Sequence, residues 1–233
     1  MNADDLGYSR GVNRGIAEAH EHGIVTSASL MVNRPGAEEA AAYGRNHPAL
    51  DVGLHVELRQ WRVRRRPWSL VWSARRLESV VAGDIAAQLD RFRRLLDRDP
   101  THVDSHQHRH RIASLRPLFE ALVVELGVPL RHFAPGIRFC GEFYGHDGRG
   151  RPDRLAITPE ALIELLGRLE PGVTELCSHP GYTDGLDAWY REERVQEVHT
   201  LCDPRVRAEI DRLGIRLTSF PEVEVQRAET PRN

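Results

Sequence analysis

A run of ten residues, Thr101–His110, concentrates side chains suited to binding a metal ion. It holds four of the chain's 12 histidines and one aspartate. If its first six residues form a β-strand, the two-residue period places His102, Asp104 and His106 on one face. Neutral imidazole is the commonest metal ligand in proteins, and a carboxylate can fix its tautomer. The run predicts part of a divalent-metal site, with a polar strand end facing water as the alternative. Its other two histidines fall in the next turn: His108 and His110.

Two adjacent carboxylates near the start of the chain are the second candidate. Asp4 and Asp5 stand in the sequence Asn2-Ala3-Asp4-Asp5-Leu6-Gly7. At a strand end before a glycine turn, one carboxylate can bind a metal ion while its neighbour acts as a general base. A solvated turn or a helix cap is the more common setting for such a pair. The pair therefore indicates a metal site only if other ligands lie close to it.

A histidine in the strand predicted over Asp51–Leu58 is the third candidate. Along this strand apolar residues occupy one face, and His55 lies on the other. If helices cover the apolar face, His55 points into the interior or towards its mouth. A single interior histidine is more often a hydrogen-bonded core residue than a ligand. The ligand interpretation is favoured once Asp5 and His106 need a third partner.

The composition limits the class of protein. The 233 residues carry a formal charge of −2 and are 40% hydrophobic, which is enough for a sizeable core and gives no general attraction to nucleic acid or membrane. No apolar run is long enough for a membrane span, and no signal peptide precedes the first motif. The three cysteines are too few for a disulfide framework. We expect a cytoplasmic protein with one domain over residues 1–233. The cysteines are Cys140, Cys177 and Cys202.

Strand patterns alternate with helix patterns along the chain. About seven strands are predicted, nearly all separated by helices, which favours an α/β fold of parallel βα units. After the first strand, the predicted strands are Ile24–Val32, Asp51–Leu58, Thr101–His106, Leu130–Phe133, Val173–Ser178 and Ile215–Phe220. The helices are predicted after Val12, at Ala37–Arg45 and Gly83–Asp97, from a cap at Ser114 to Gly127, from Thr158 to Leu169, and at Ala188–Thr200 and Pro204–Leu213.

The candidate residues share one position in this pattern. Each lies at the C-terminal end of a predicted strand, and His179 opens a His-Pro-Gly sequence after the strand Val173–Ser178. In a barrel of parallel strands those ends converge on a single mouth, where such enzymes place their chemistry. The pattern therefore predicts one site that contains Asp4, Asp5, His55, His106 and His179.

Two further segments differ from the rest in composition. Arg59–Trp72 interleaves arginines with tryptophans, a composition that can bind sugar rings, phosphates or single-stranded nucleic acid. A solvated loop whose tryptophans pack on the body is slightly favoured over that interpretation. Pro135–Asp153 is rich in glycine and proline and is predicted to be a long loop, a feature that often serves as a functional lid.

Several ordered motifs resemble the YdjC/ChbG family of carbohydrate deacetylases. The long Asp-Asp and Asp-Ser-His motifs are the specific ones, and the resemblance spans nearly the whole chain. The motifs are Asn2-Ala3-Asp4-Asp5-Leu6-Gly7, Gly11-Val12-Asn13-Arg14-Gly15-Ile16, Gly23-Ile24-Val25-Thr26-Ser27, Val52-Gly53-Leu54-His55, His102-Val103-Asp104-Ser105-His106-Gln107-His108, Phe143-Tyr144-Gly145 and His179-Pro180-Gly181.

The resemblance implies a distorted TIM-like (β/α) barrel that removes acetyl groups from N-acetylated sugars with one divalent metal ion. It implies Asp5, His55 and His106 as metal ligands, Asp4 as the base and His179 as the acid. Mixed nitrogen and oxygen ligands do not decide between Mg²⁺ and Zn²⁺. A subset of the family associated with hopanoid biosynthesis is similar in the early motifs, but this similarity does not assign the chain to that subset. Whether the chain forms a homodimer is left open.

The chain departs from the family in two places. Met1 stands directly before Asn2, where relatives carry apolar residues, so we expect a truncated start and a short, frayed first strand. The region between His55 and Gly83 is short and rich in arginine, so the sugar preference is open. Two other functions remain as alternatives: a metal-dependent hydrolase of another bond, such as a phosphoester, and a non-catalytic binding protein with the same fold.

Overall fold

The computed structural model describes residues 1–58, 70–147 and 149–223, with side chains omitted for 70–77. Within these residues, six parallel strands form one sheet in the order β4-β3-β2-β1-β6-β5. The sheet curls into a half-barrel with helices packed around it, so the predicted α/β, TIM-like class is confirmed. The strands are β1 Asn2–Leu6, β2 Ser27–Leu30, β3 Asp51–Val56, β4 Val103–Ser105, β5 Ile137–Cys140 and β6 Val173–Ser178.

Helices follow most of the strands, as a parallel sheet requires. Each buries one apolar side: in the third helix Val81, Ile85, Leu89 and Phe92 face the core. The helices are α1 Arg10–Glu21, α2 Ala37–Asn46, α3 Leu70–Leu96, α4 Arg116–Leu126, α5 Pro159–Gly167, α6 Glu192–Leu201 and α7 Pro204–Arg212. Short 3₁₀ segments occupy His106–Arg111, Arg154–Ile157 and Phe220–Glu222.

The expectation of a short, frayed first strand is not met. β1 has five residues, all buried, and it pairs with β2 on one side and β6 on the other. The carbonyl of Met1 accepts hydrogen bonds from the backbone N–H groups of Thr26 and Ser27 at 3.1 and 3.2 Å. The carboxylates at positions 4 and 5 therefore project from the middle of the sheet.

Three predictions of strands and loops were wrong. Leu130–Phe133 makes only an isolated bridge to Val103, because His132 adopts a positive φ of 67° that turns the chain away. Ile215–Phe220 is not a strand, since Ile215 continues the end of α7 by donating to the carbonyl of Ile210. Conversely, β5 lies inside Pro135–Asp153, the segment predicted as a loop. The many glycines and prolines of that segment outweighed the short strand pattern of its four residues.

Helix boundaries follow local capping chemistry in most places. Thr158 caps α5 and Pro159 is its first residue, as predicted. Gly127 ends α4 in the left-handed conformation, but the N-cap of α4 is Leu115 and not Ser114. The arginine- and tryptophan-rich segment up to residue 69 lies outside the described residues, so its role stays a prediction. None of the helices that the structure describes combines the length and apolar character that a membrane span needs.

Candidate active site

The C-terminal ends of the parallel strands bring the predicted residues to one cavity of about 440 Å³. β1 supplies two neighbouring carboxylates, β3 supplies one imidazole near its end, and the residues just after β4 and β6 supply two more imidazoles. The convergence predicted from the sequence is therefore observed. The residues concerned, all of which line this cavity, are Asp4, Asp5, His55, His106 and His179.

Three of these side chains form a group that fits a divalent cation. Oδ1 of Asp5 lies 3.4 Å from Nε2 of His55 and 3.1 Å from Nδ1 of His106, and the three ligand atoms lie within 4.8 Å of one another. One carboxylate oxygen and two imidazole nitrogens are a common donor set, which leaves coordination positions open. Asp5 has a φ of 67°, a conformation that non-glycine residues rarely adopt outside special sites.

His55 is oriented by a buried carboxylate behind it. Its Nδ1 lies 2.6 Å from Oδ1 of Asp104, and both side chains are almost fully buried. Burial disfavours protonation of His55, but Asp104 and Asp5 outweigh it and raise its pKa to about 10, so a metal ion that binds here must displace the proton of Nε2. With Nδ1–H donated to Asp104, Nε2 is the nitrogen that faces Asp5. A carboxylate behind a histidine is the usual outer partner of a metal-binding imidazole.

The other carboxylate of the pair, Asp4, is held by an arginine. Arg131 donates to both oxygens of Asp4 at 2.7 Å and also contacts Asp104 at 2.6 Å and Glu175 at 2.7 Å. Burial raises the pKa of Asp4, but the charge of Arg131 outweighs this and the net pKa is lowered to about 2. Asp4 is therefore ionised at neutral pH. Burial raises the pKa of Glu175 to about 7 despite the same arginine.

His179 faces Asp4 across the floor of the cavity. Its Nε2 lies 3.9 Å from Oδ2 of Asp4, beyond hydrogen-bonding distance, and its Nδ1 is buried without a partner. Burial lowers the pKa of His179 to about 4, although Asp4 and Asp5 oppose the shift. The imidazole is therefore neutral at rest. Arg194 fixes the backbone here by donating to the carbonyl of His179 at 3.3 Å, and it also pairs with Asp5 at 2.5 Å.

The remaining histidines of the run 101–110 do not join this group. His102 is buried, stacks on Phe220 with ring centroids 4.0 Å apart, and has Nε2 3.0 Å from the hydroxyl oxygen of Ser29. The sequence predicted His102, Asp104 and His106 on one face of a strand. β4 covers only Val103–Ser105, so Asp104 lies within the strand, His102 lies just before it and His106 just after it. His108 also lines the cavity, and together with His110 it belongs to a neighbouring cluster.

Aromatic side chains form the rim of the cavity. Tyr144, from the motif Phe143-Tyr144-Gly145, stacks on Tyr190 with ring centroids 4.9 Å apart. Trp189 lines the same cavity and is 67% exposed, so its ring is accessible to a ligand. Flat aromatic faces beside a polar floor suit a ligand that has both apolar C–H surfaces and polar groups. This rim lies outside the segment 59–72 in which the sequence suggested sugar-binding aromatics.

The sequence did not single out the two arginines that organise the site. Arg131 and Arg194 are buried, with side chains 1% and 5% exposed. A buried arginine is rare unless it is paired. Arg131 is the only arginine, lysine, aspartate or glutamate between Glu125 and Arg138, and that isolation was the available signal. Arg194 lies in an ordinary amphipathic helix, and the sequence around it carries no such signal.

Comparisons with known proteins agree with this geometry. A family model described as YdjC-like protein matches residues 1–212. A carbohydrate deacetylase of Geobacillus stearothermophilus is 38% identical over 95% of this chain and 96% of its own length. A chitooligosaccharide deacetylase of Serratia marcescens is 32% identical, over 96% of this chain and 98% of its own.

Among solved structures, an Enterococcus faecalis V583 protein described as a cellobiose-phosphate cleavage protein superposes with a TM-score of 0.76. It is 25% identical, and the match covers 94% of this chain and 96% of that one. Relatives above 30% identity over nearly the full length, together with the family match, settle the membership. The chain belongs to the YdjC-like protein family.

Proposed function

We propose that the chain is a metal-dependent enzyme that hydrolyses the amide bond of an N-acetylated sugar, with residues 1–233 acting as one domain. Sugar deacetylation is the activity for which its relatives are named. The observation that carries the proposal for this chain is the arrangement around Asp5. Two imidazoles lie beside its carboxylate, one of them is oriented by a buried aspartate, and a base candidate and an acid candidate face them in the same cavity.

Asp5, His55 and His106 are the proposed metal ligands. A divalent cation bound there would polarise the acetyl carbonyl and lower the pKa of a water molecule. Arg194 holds the second oxygen of Asp5 and thereby leaves Oδ1 directed at both imidazoles. The donor set accepts either Mg²⁺ or Zn²⁺, because it mixes oxygen with nitrogen.

Asp4 is proposed as the general base. Its carboxylate is ionised at neutral pH, and the two hydrogen bonds from Arg131 hold it in one orientation towards the cavity. A carboxylate with a low pKa is a weak base, so it can only assist a water molecule that is already acidified. Arg131 therefore sets both the position and the basicity of Asp4.

His179 is proposed as the general acid for the leaving amine. Its pKa of about 4 means that it begins the cycle neutral and must gain a proton before it can donate one. Asp4 is the nearest source, since 3.9 Å between Oδ2 and Nε2 is a gap that a small side-chain rotation or one water molecule closes. The proton that Asp4 takes from the attacking water would then reach the amine nitrogen through His179.

The cavity suits a small sugar. Its volume of about 440 Å³ falls within the range of small-molecule sites, which is roughly 300–1,000 Å³. Trp189 and the half-buried Tyr144 offer ring faces at the rim, against which a pyranose can pack its C–H groups, and the buried Tyr190 supports Tyr144 from behind. The substrate proposed from these features and from the names of the relatives is an N-acetylated amino sugar or a short oligosaccharide of such sugars.

Acetate release is the direct test. Chelator-stripped protein is incubated with a panel of N-acetylated mono- and oligosaccharides, with and without Mg²⁺ or Zn²⁺, and free acetate is quantified. The proposal requires acetate release that depends on the metal. His106→Ala should abolish it together with metal binding at Asp5. The matched control His22→Ala, at an exposed position, should retain both.

The alternative reaction, phosphoester hydrolysis, is tested in the same assays by phosphate release from sugar phosphates. The arginines that would favour it, Arg62–Arg66, lie outside the described residues. Phosphate release without acetate release would overturn the proposed reaction and leave the proposed metal ligands standing. If neither acetate nor phosphate is released with any of the metals, a non-catalytic binding protein is favoured.

A further inference from the structure

A second histidine cluster lies beside the candidate active site. Its members, His108, His110 and His132, come from the 3₁₀ segment after β4 and from the turn after the bridge at Leu130. One ring nitrogen of each lies within 4.8 Å of the others, and the ring centroids are 5.1, 5.5 and 5.9 Å apart. We call these residues the three-histidine cluster. The mechanism proposed above uses none of them.

Each ring of the cluster has a buried nitrogen without a hydrogen-bond partner. These atoms are Nδ1 of His108, Nε2 of His110 and Nε2 of His132, and the whole of His110 is 0% exposed. Buried polar atoms in folded proteins almost always have a partner. Three unpartnered nitrogens in one place therefore indicate a ligand that they share.

The surroundings favour a cation over a proton as that ligand. Phe139 packs against His132 with ring centroids 4.1 Å apart, and Phe119 lies 5.9 Å from His110. Burial among such groups lowers the pKa of His110 to about 3 and that of His132 to about 4. Both rings are neutral near pH 7, and the neutral imidazole is the form that binds metal ions.

His110 is oriented from behind, as metal-binding imidazoles usually are. Its Nδ1 lies 2.7 Å from the hydroxyl oxygen of Ser105, and that oxygen accepts the backbone N–H of His110 at 2.9 Å. This contact leaves Nε2 directed into the cluster. Because Ser105 stands between Asp104 and His106 in the chain, the two sites share one supporting segment.

The backbone of the cluster also departs from ordinary geometry. His108 and His132 have φ values of 51° and 67°, in the left-handed region that is uncommon for residues other than glycine, although histidine enters it more often than most. Such conformations persist when the surrounding structure enforces them, and they concentrate at functional sites. Here they belong to two of the three residues whose rings meet.

We propose that the three-histidine cluster binds a second divalent transition-metal ion. Three imidazoles favour Zn²⁺, Co²⁺, Ni²⁺ or Cu²⁺ over Mg²⁺, which prefers oxygen ligands. Metal–nitrogen bonds of about 2.0–2.1 Å would place the three nitrogens roughly 3.4 Å apart, within reach of small side-chain rotations. The bound ion would tie the segment that carries His106 to the turn that carries Arg131. The proposal rests on this cluster alone and is independent of the proposed reaction.

Metal stoichiometry of the full chain tests the proposal. Chelator-stripped protein is equilibrated with Zn²⁺ or with Mg²⁺, and bound metal is measured by mass spectrometry of the digested sample. Two zinc ions and no more than one magnesium ion per chain are expected. His132→Asn, which keeps a residue tolerant of positive φ, should retain one zinc, and so should His106→Ala. The double variant should retain none.

Affinity gives the second measurement. His132→Asn should weaken the second zinc by more than the roughly 10–100-fold that loss of an outer partner costs. The control His22→Asn, at an exposed position, should keep both ions. One zinc in the wild type, unchanged in His132→Asn, would overturn the proposal.

The result does not depend on whether His132→Asn folds. His106→Ala leaves the cluster intact, so it should still bind one Co²⁺, with a visible spectrum of nitrogen ligation, and Zn²⁺ should raise its melting temperature. A folded His106→Ala protein that binds no transition metal would overturn the proposal by itself.

Discussion

Oδ1 of Asp104 lies 2.6 Å from Nδ1 of His55, and this contact determines which nitrogen of the imidazole faces Asp5. Asp104 is completely buried and is held on its other oxygen by Ser29 at 2.8 Å and Arg131 at 2.6 Å. The aspartate therefore cannot turn away from the histidine. Its position in β4, opposite His55 in β3, follows from the parallel register of the two strands.

The first prediction removes the charge of this contact. Asp104→Asn keeps the shape of the side chain but no longer stabilises the Nδ1–H tautomer of His55. Metal affinity at the Asp5 site should fall roughly 10–100-fold, the usual effect of losing an outer carboxylate. Isothermal titration calorimetry with Mg²⁺ measures this affinity. Mg²⁺ is chosen because the three-histidine cluster should not bind it. Asp211→Asn, at an exposed position of α7, is the control, and equal affinities in both variants would contradict the orienting role.

A second prediction separates chemistry from metal binding. Asp4→Asn and His179→Ala should each lower turnover by on the order of 10²-fold or more, the usual contribution of a general base or acid. Both variants should keep the metal content at Asp5, because neither residue belongs to that ligand group. Steady-state acetate release and metal analysis on the same samples are the measurements. Near wild-type turnover in either variant would remove its assigned role.

A third prediction concerns pH and His102. Burial lowers its pKa from 6.5 to about 4, so the unfolded chain binds a proton more readily than the folded protein between these values. The contribution of neutral His102 to stability is therefore complete above about pH 6.5 and is lost as pH falls towards 4. Between about pH 7.5 and about pH 5 this loss amounts to on the order of 2 kcal/mol.

His102→Gln tests this effect, because glutamine stays polar but cannot be protonated. Urea unfolding at the two pH values should show a smaller loss of stability in the variant than in the wild type, by the amount given above. Other buried histidines titrate equally in both proteins and cancel in the difference. An identical pH dependence of the two proteins would show that His102 does not titrate on unfolding in this range.

The positions of the candidate residues could be predicted from the sequence because strand periodicity fixes them. In β3 the two-residue alternation put His55 opposite a row of apolar residues, and parallel strands bring their C-terminal ends to one edge. His179 follows the apolar strand pattern of Val173–Ser178. Asp4 and Asp5 have no apolar run before them, so their place at a strand end was predicted from the Asp-Asp pair before a glycine turn and from the βα order of the chain.

The supporting contacts could not be predicted, because they depend on packing between distant segments. Arg131 meets Asp4 across 127 positions, and Arg194 meets Asp5 across 189. No local pattern encodes such distances. The strand β5 was missed for a related reason: its four residues are only half-buried at the edge of the sheet, so they lack the apolar alternation of a central strand.

The last prediction links packing to the site through Gly53. A Cβ atom at this position would lie 2.4 Å from ring atoms of His102, so alanine there must displace a fully buried imidazole. The Nε2 of that ring lies 3.0 Å from the hydroxyl oxygen of Ser29, which donates to Asp104, and Asp104 in turn orients His55. A single methyl group should therefore disturb His55, a proposed metal ligand, through three contacts.

Gly53→Ala should lower the free energy of unfolding by about 1–3 kcal/mol, the usual cost of overpacking a core, and should also weaken metal binding at Asp5. Gly83→Ala is the matched control: no atom lies within 4 Å of its added Cβ, and alanine in a helix is favoured over glycine by up to about 1 kcal/mol. Denaturant unfolding and Mg²⁺ titration of both variants give the answer. If Gly53→Ala loses stability but binds Mg²⁺ as the wild type does, the contacts from His102 to His55 support the core without positioning the ligand.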